Sequence, residues 1–193
     1  MAFLSRDKLE AMGFRSLGQN VQISEKASFY NTAQISIGDH TRIDDFCILS
    51  AGEGGIEVGS YIHIGCYSSF LGNAPIILHD FCGISGRVSF YSHIDDTSGE
   101  YLVQPTFPDK FRHMISDPII VERHGLVGAG SIVFPGVTVG TGALVGALSL
   151  VKENCEPFWV YGGVPAQKIK PRKRDFLKLE KKFLEELSKH SEH

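Results

Sequence analysis

No stretch of this sequence approaches the roughly 18 consecutive apolar residues that a membrane-spanning helix needs, and no charged start leads into an apolar run as in a signal peptide. A cytoplasmic protein without a membrane span is therefore expected. Basic charge is also scarce: 19 Lys and Arg stand against 22 Asp and Glu, a formal net charge of -3. A nucleic-acid or anionic-membrane surface needs a basic excess, so neither partner is expected, and small neutral or anionic ligands remain open. The four cysteines, Cys47, Cys66, Cys82 and Cys155, contain no Cys-x-x-Cys pair. In a reducing compartment they read as small buried residues, not as disulfides or a metal knot.

Glycine, by contrast, is plentiful: 21 of 193 residues, with neither a run nor a collagen period. Glycines spread this way point to many regularly placed tight turns. From Ile23 the chain counts in sixes, with an aliphatic residue first and a small one fifth: Ile23 with Ala27, Phe29 with Ala33, Ile37 with Thr41, Ile43 with Cys47. Val58, Ile64, Leu78 and Ile84 continue the count, and Val121, Val127, Val133, Val139 and Val145 complete it. A period of six fits neither a helix nor an ordinary strand. It fits a short strand followed by a tight turn, three of which close one triangular coil with aliphatic residues inside. Eighteen residues then make one coil. Equivalent positions Ile37, Val58, Leu78, Val121 and Val139 lie 21, 20, 43 and 18 residues apart, so one interval carries 25 residues beyond a coil. That excess is a loop opening at Phe90-Tyr91-Ser92-His93. A prism of this kind leaves outer flat faces uncovered, which favours self-association.

The ends differ. Residues 1–22 read as a short helical cap, with Ser5 as N-cap and Gly13 as a left-handed stop. The solenoid spans 23–170 with the inserted loop at 91–117. Residues 171–193 read as an amphipathic helix from Arg172 to His190, whose stripe Phe176, Leu179, Phe183 and Leu187 is either a lid on the coil stack or a contact between copies. Its basic residues precede its acidic ones, against the helix dipole, so tertiary packing is expected to hold it.

The hexads resemble those of the hexapeptide-repeat acyltransferases. The resemblance implies an all-β solenoid, a left-handed parallel β-helix of hexapeptide repeats with an inserted active-site loop and a C-terminal α-helix. Two further stretches carry it. The run 127–140, Val-Gly-Ala-Gly-Ser-Ile-Val-Phe-Pro-Gly-Val-Thr-Val-Gly, is similar to the segment that follows the active-site loop in these enzymes. Tyr161-Gly162-Gly163-Val164-Pro165-Ala166 is similar to the G-x-P-A motif of the acetyl-coenzyme A users.

Acyl transfer from a thioester needs a base, because the attacking amine or hydroxyl becomes acidic as it bonds to the carbonyl, and histidine suits that task near neutral pH. Of the eight histidines, His40, His63, His79 and His124 fall within hexads or at turns, and His190 and His193 are in the tail. Only His93 and His113 lie in the inserted loop. The resemblance places the catalytic base at His93, the acceptor site at Tyr91, Asp95, Asp96, Glu100 and Asn73, and acetyl-CoA in a groove between subunits of a homotrimer. One of the acidic residues beside His93 would orient the imidazole. Small residues Ala129 and Ala147, the terminal-motif residues Gly163 and Pro165, and the lysines Lys152, Lys168 and Lys170 would hold the coenzyme, the lysines as point charges for its phosphates. Galactoside-type relatives carry an acidic acceptor ligand where Asn73 stands and an indole where Leu126-Val127 stands. These departures turn the expectation away from a simple galactoside, and the loop 95–100, Asp-Asp-Thr-Ser-Gly-Glu, resembles relatives of surface-polysaccharide and nucleotide-sugar pathways, which implies acetyl transfer to an amino or hydroxyl group of a sugar or amino sugar. No metal is implied. Two rivals remain: a non-catalytic β-helix scaffold, and a zinc-dependent γ-type carbonic anhydrase, which would need a His pair at close spacing that the hexads lack.

Overall fold

A computed structural model describes residues 1–190, with the side chain of His190 excepted; of the two tail histidines, His193 lies outside the described residues. The chain winds as a left-handed parallel β-helix whose three faces are parallel sheets of 6, 8 and 6 strands, the second ending in one antiparallel strand. The spacing arithmetic holds residue by residue: Ile37 pairs with Val58, Val58 with Leu78, Leu78 with Val121 and Val121 with Val139. Each of these side chains is at most 3% exposed, so the inward corners form one continuous apolar column. Pairing begins with Ser16–Leu17 against Ser36–Ile37, earlier than Ile23.

The small fifth residues also turn inward. Thr41, Ser68 and Ser131 are fully buried, and each hydroxyl donates to a carbonyl of the next coil: to Gly59 at 2.8 Å, Ser85 at 2.9 Å and Gly146 at 3.0 Å. That satisfies a polar group which would otherwise cost stability in an apolar corner. Cys47, Cys82 and Cys155 are buried, and burial pushes their thiols up to about 11, 12 and 11, so they are inert packing residues; Cys66 is only half-buried.

The glycines do the job expected of them only in part: Gly55, Gly130, Gly136 and Gly142 do hold left-handed turns. The left-handed turn positions are held mainly by other residues, among them His40, Tyr61, Phe81 and His124, with φ between 55° and 62°. Such a conformation costs a bulky residue about 1–2 kcal/mol. Stacking along the corner offsets it: ring centroids are 4.7 Å apart for His40–Tyr61, 5.2 Å for Tyr61–Phe81 and 5.2 Å for Phe81–His124. Glycine is instead required where one coil crosses the next. A Cβ on Gly38 would lie 2.6 Å from the Gly59 carbonyl carbon, and one on Gly59 would lie 2.8 Å from the Asp80 nitrogen.

Helix α1 (Arg6–Ala11) precedes the first coil, with Ser5 accepting from the Lys8 amide and Leu9 buried. At the other end the structure departs from the expected helix start at Arg172. Strands Trp159–Gly162 and Gln167–Pro171 form an antiparallel hairpin, and helix α2 (Phe176–His190) follows a short extended segment. Arg172 fixes that segment: its Nη1 donates to the carbonyls of His124 (3.1 Å) and Gly142 (3.0 Å), and its amide donates to Phe158 at 2.7 Å. The basic residues Arg172–Arg174 thus precede the helix and oppose its dipole less than the sequence implied. Half of the apolar stripe covers the aromatic corner: Phe183 meets Tyr61 edge-on at 5.2 Å and Phe176 lies 4.9 Å from His124, while Leu179 stays 65% exposed.

Glu180 clamps α2 to that corner, accepting from Arg123 Nε at 2.7 Å and lying 2.8 Å from His124 Nε2. Burial alone would raise the Glu180 carboxyl, but the hydrogen bonds from His124 and Arg123 outweigh it and hold it below the ordinary value of 4.5. A depressed carboxylate contributes stability that is complete above its unfolded value and lost as pH falls through its folded one. Limited proteolysis should therefore release α2 faster below about pH 4.5 than at pH 7, and Glu180→Gln should show the faster release already at pH 7. Equal rates for the variant and the parent at pH 7 would show that the clamp does not hold the helix.

Candidate active site

The chain leaves the prism at Ser92. This residue is fully buried, its hydroxyl donates to the Ala74 carbonyl at 2.7 Å, and its own carbonyl accepts from the Asp117 amide at 3.1 Å. The two ends of the insertion are thereby pinched together. Immediately beyond, His93–Asp95 and Met114–Ser116 pair as an antiparallel ribbon, with His93 opposite Ser116 and Asp95 opposite Met114. The root of the loop is thus a built element, which the absence of any period did not reveal. A Cβ on Gly72 would collide with Ser92 Oγ, so the coil beneath must be bare there. Gly72→Ala is expected to cost about 1–3 kcal/mol by overpacking and to displace the ribbon, lowering turnover more than Tm alone explains. A variant with wild-type melting and wild-type turnover would show that the ribbon tolerates the displacement.

The ribbon roofs a cavity of about 550 Å3 floored by the preceding coils, with Gly52, Gly72 and Asn73 below and His93, Arg112, Met114 and Ser116 above. A larger groove of about 640 Å3 runs along the outer face of the first sheet, but its Asp80 and Arg123 are paired with each other at 3.0 Å. The smaller one is walled by the histidine at the loop root, His93. His93 is half-buried, and its Nδ1 is buried without a hydrogen-bond partner among the described residues.

Of the expected acceptor residues, the structure brings Asn73 into the cavity with His93; its Oδ1 accepts from the Glu53 amide at 3.2 Å. The carboxylates are engaged elsewhere. Asp95 accepts from Arg112 Nη2 at 3.2 Å, and Asp96 lies 2.8 Å from His113 Nδ1. The His113 hydrogen bond, with the Ser98 amide behind it, holds the Asp96 carboxyl down at about 2. Glu100 is exposed. No hydrogen bond joins His93 to any of the three, so the expected carboxylate support for its imidazole is not made in this structure. Tyr91 pairs with Leu71 on the third sheet and is not part of the cavity wall.

The coenzyme residues divide in the same way. Ala129 and Ala147 are exposed on one corner, where the Leu148 amide donates to the Ala129 carbonyl at 2.8 Å. Lys152 and Pro165 line a second cavity of about 360 Å3 with Gln167. Gly163 sits in the turn of the closing hairpin, its amide donating to Ser149 Oγ at 3.2 Å. Lys168 is committed to Glu156 at 2.7 Å and lies 3.9 Å over the Trp159 ring, whereas Lys170 is exposed. Sequence reasoning missed Arg112 and Ser116. Both lie on the returning arm, and the signal available was an arginine beside the loop's other histidine, His113. Among the described residues no group of three or more His, Cys, Asp or Glu side chains is placed to hold a metal ion, so a zinc site has no ligand set within one chain.

Comparison with known proteins follows the same lines. No family model matches the chain. It is 48% identical over 183 residues, 95% of each chain, to the dTDP-4-amino-4,6-dideoxy-D-glucose acyltransferase of Escherichia coli. Among solved structures it superimposes with a TM-score of 0.93 and 45% identity, over 96% of this chain and 98% of the other, on a serine-to-alanine variant of the N-acyltransferase AntD from Bacillus cereus, in complex with dTDP-4-amino-4,6-dideoxyglucose and coenzyme A. A hexapeptide-repeat acetyltransferase from Vibrio cholerae, solved with acetyl coenzyme A, shares the fold at 23% identity and a TM-score of 0.61, over 88% of this chain and 77% of that one.

Proposed function

The chain belongs to the hexapeptide-repeat acyltransferases, and from that premise we propose that it transfers an acetyl group from acetyl-CoA to the amine of a dTDP-linked 4-amino-4,6-dideoxy sugar, with His93 as general base. The observation that carries this reading is His93 itself. It stands at the rigid root of the insertion, over a cavity of sugar size, in a chain alike along almost its whole length to an enzyme of that name. The neutral amine attacks the thioester carbonyl, the C–N bond forms, and the nitrogen gains positive charge. His93 takes the proton released from that nitrogen, the C–S bond breaks, and coenzyme A leaves as the thiolate, which is then protonated. Asn73 supplies an amide to the sugar, whereas Asp95, Asp96, Glu100 and Tyr91 lie outside the cavity lining and would reach the acceptor only beyond it.

For the donor, Ala129 and Ala147 leave the corner backbone open to pantetheine, and Gly163 and Pro165 shape the end of that path. Lys170, which is exposed, and Lys152, whose ammonium lies 5.7 Å from the Phe134 ring centroid, are set to meet phosphate, while Lys168 would first have to give up Glu156. The site is assigned to the seam between copies of a homotrimer. Supporting this are exposed apolar side chains along one corner and the adjacent face, Phe46, Ile48, Tyr67 and Leu148, with Tyr101, Phe107 and Phe111 on the loop. No helix among the described residues is long and apolar enough to cross a membrane. Cytoplasmic action and a product destined for surface polysaccharide complete the proposal.

The test is incubation of the purified protein with acetyl-CoA and a panel of dTDP-linked amino sugars, free amino sugars and simple glycosides, following thiol release and product mass. The 4-amino nucleotide sugar should give the acetylated product. Absence of thiol release with every acceptor would return the chain to the scaffold reading. A monomeric mass in solution would rule out the shared seam.

A further inference from the structure

One charged side chain in the acceptor cavity has no part in the chemistry above. Arg112, on the returning arm of the loop, is only 12% exposed. Its Nη2 donates to Asp95 Oδ1 at 3.2 Å and its Nη1 to Asp109 Oδ1 at 3.3 Å; Nη2 also lies 3.3 Å from Met114 Sδ. The third edge of the guanidinium is different: Nε–H is buried and has no hydrogen-bond partner among the described residues. One other buried side-chain nitrogen shares that condition, His93 Nδ1, and both residues wall the same cavity.

A buried donor without an acceptor destabilises the free protein, and a ligand oxygen brought to it relieves that cost. The nature of the oxygen follows from the charges around it. Two carboxylates already face the guanidinium, so its remaining capacity is that of a hydrogen-bond donor more than that of a free cation. A neutral hydroxyl suits it better than a phosphate, whose charge would meet Asp95 and Asp109 as well. The other polar side chains of the wall, Ser50, Asn73 and Ser116, are uncharged partners for hydroxyls too. With the acceptor amine at His93, a sugar in this cavity also faces Arg112, which walls it together with His93. We infer that Arg112 is a specificity-determining residue that donates a hydrogen bond to the sugar hydroxyl vicinal to the acceptor amine. The inference rests on the amino-sugar reading of the site.

The experiment compares the dTDP-linked 4-amino sugar with its 3-deoxy analogue on the wild type, Arg112→Gln and Arg112→Lys. Wild type should favour the hydroxylated acceptor by about 10–100-fold in kcat/KM, the worth of a hydrogen bond from a charged donor. Arg112→Lys keeps a cation for Asp95 but has no N–H at the Nε position, so its preference should fall to within about threefold, with KM for acetyl-CoA unchanged. Arg112→Gln should lose the preference as well. If it proves inactive, the lysine variant decides alone. Wild-type discrimination persisting in Arg112→Lys, or a wild type that does not discriminate, overturns the inference. Failure of the wild type on both acceptors would instead overturn the amino-sugar reading itself.

Discussion

Replacing His93 by alanine is expected to lower kcat for acyl transfer by about 10²–10⁴-fold, the usual worth of a positioned base, while KM for acetyl-CoA stays within a few-fold. The split follows from the proposed assignment of the two cavities. His93 walls the acceptor cavity of about 550 Å3, whereas Lys152 and Pro165, assigned to the donor, line a separate one of about 360 Å3. Because His93 Nδ1 has no partner among the described residues, removing the imidazole strands no carboxylate, and the melting temperature should change little. His93→Asn, which keeps a polar side chain but cannot take the proton, should be as impaired as the alanine variant. Rates within about threefold of wild type for both, measured by thiol release under saturating donor, would remove His93 from the chemistry.

Phe90→Ala is expected to have the largest effect on stability, about 3–5 kcal/mol. Phe90 and Phe70 are both fully buried and stack at 4.7 Å with a 22° interplanar angle, in successive coils beneath the loop root. Truncation leaves a cavity that the hydrogen-bonded coils on either side cannot collapse to fill, since Phe90 pairs in register with Phe70 on one side and Val133 on the other. Against a typical total stability of about 5–15 kcal/mol the loss is large, and chemical unfolding should show it as a fall in midpoint. Phe90→Leu, nearer in volume, should cost less than half as much. A loss below about 1 kcal/mol for the alanine variant would mean that the column relaxes freely, contrary to a close-packed solenoid core.

The inward rows were legible because a solenoid is nearly one-dimensional: its inter-coil contacts fall at a fixed sequence spacing, so counting sixes found Val58 opposite Ile37 and located the excess before Val121. The same reasoning isolated His93 as the residue at which the count lapses. What it could not reach depends on contacts without a period. The ribbon joins His93–Asp95 to Met114–Ser116 across a long sequence gap, and pairings such as Asp95 with Arg112 or Lys168 with Glu156 leave no trace in spacing. The three acidic neighbours of His93 were sound candidates by proximity in sequence, yet strand alternation and the returning arm decide which carboxylates meet which cations. Glycine misled for a related reason. A run of left-handed turns invites glycine, but stacked rings made His40, Tyr61 and Phe81 acceptable there, so only some glycines, such as Gly130 and Gly142, hold turns while others, such as Gly38 and Gly59, sit at close crossings between coils.

The central claim, that this site acetylates the amine of a nucleotide-linked sugar, is tested most directly by the initial rate of coenzyme A release with dTDP-4-amino-4,6-dideoxyglucose against the same nucleotide sugar bearing a 4-hydroxyl. The wild type should turn over the amine, give the N-acetyl product, and show a rate on the hydroxyl sugar no higher than that of His93→Ala. Equal rates on the two sugars, or release without an acetylated nucleotide sugar, would contradict the account.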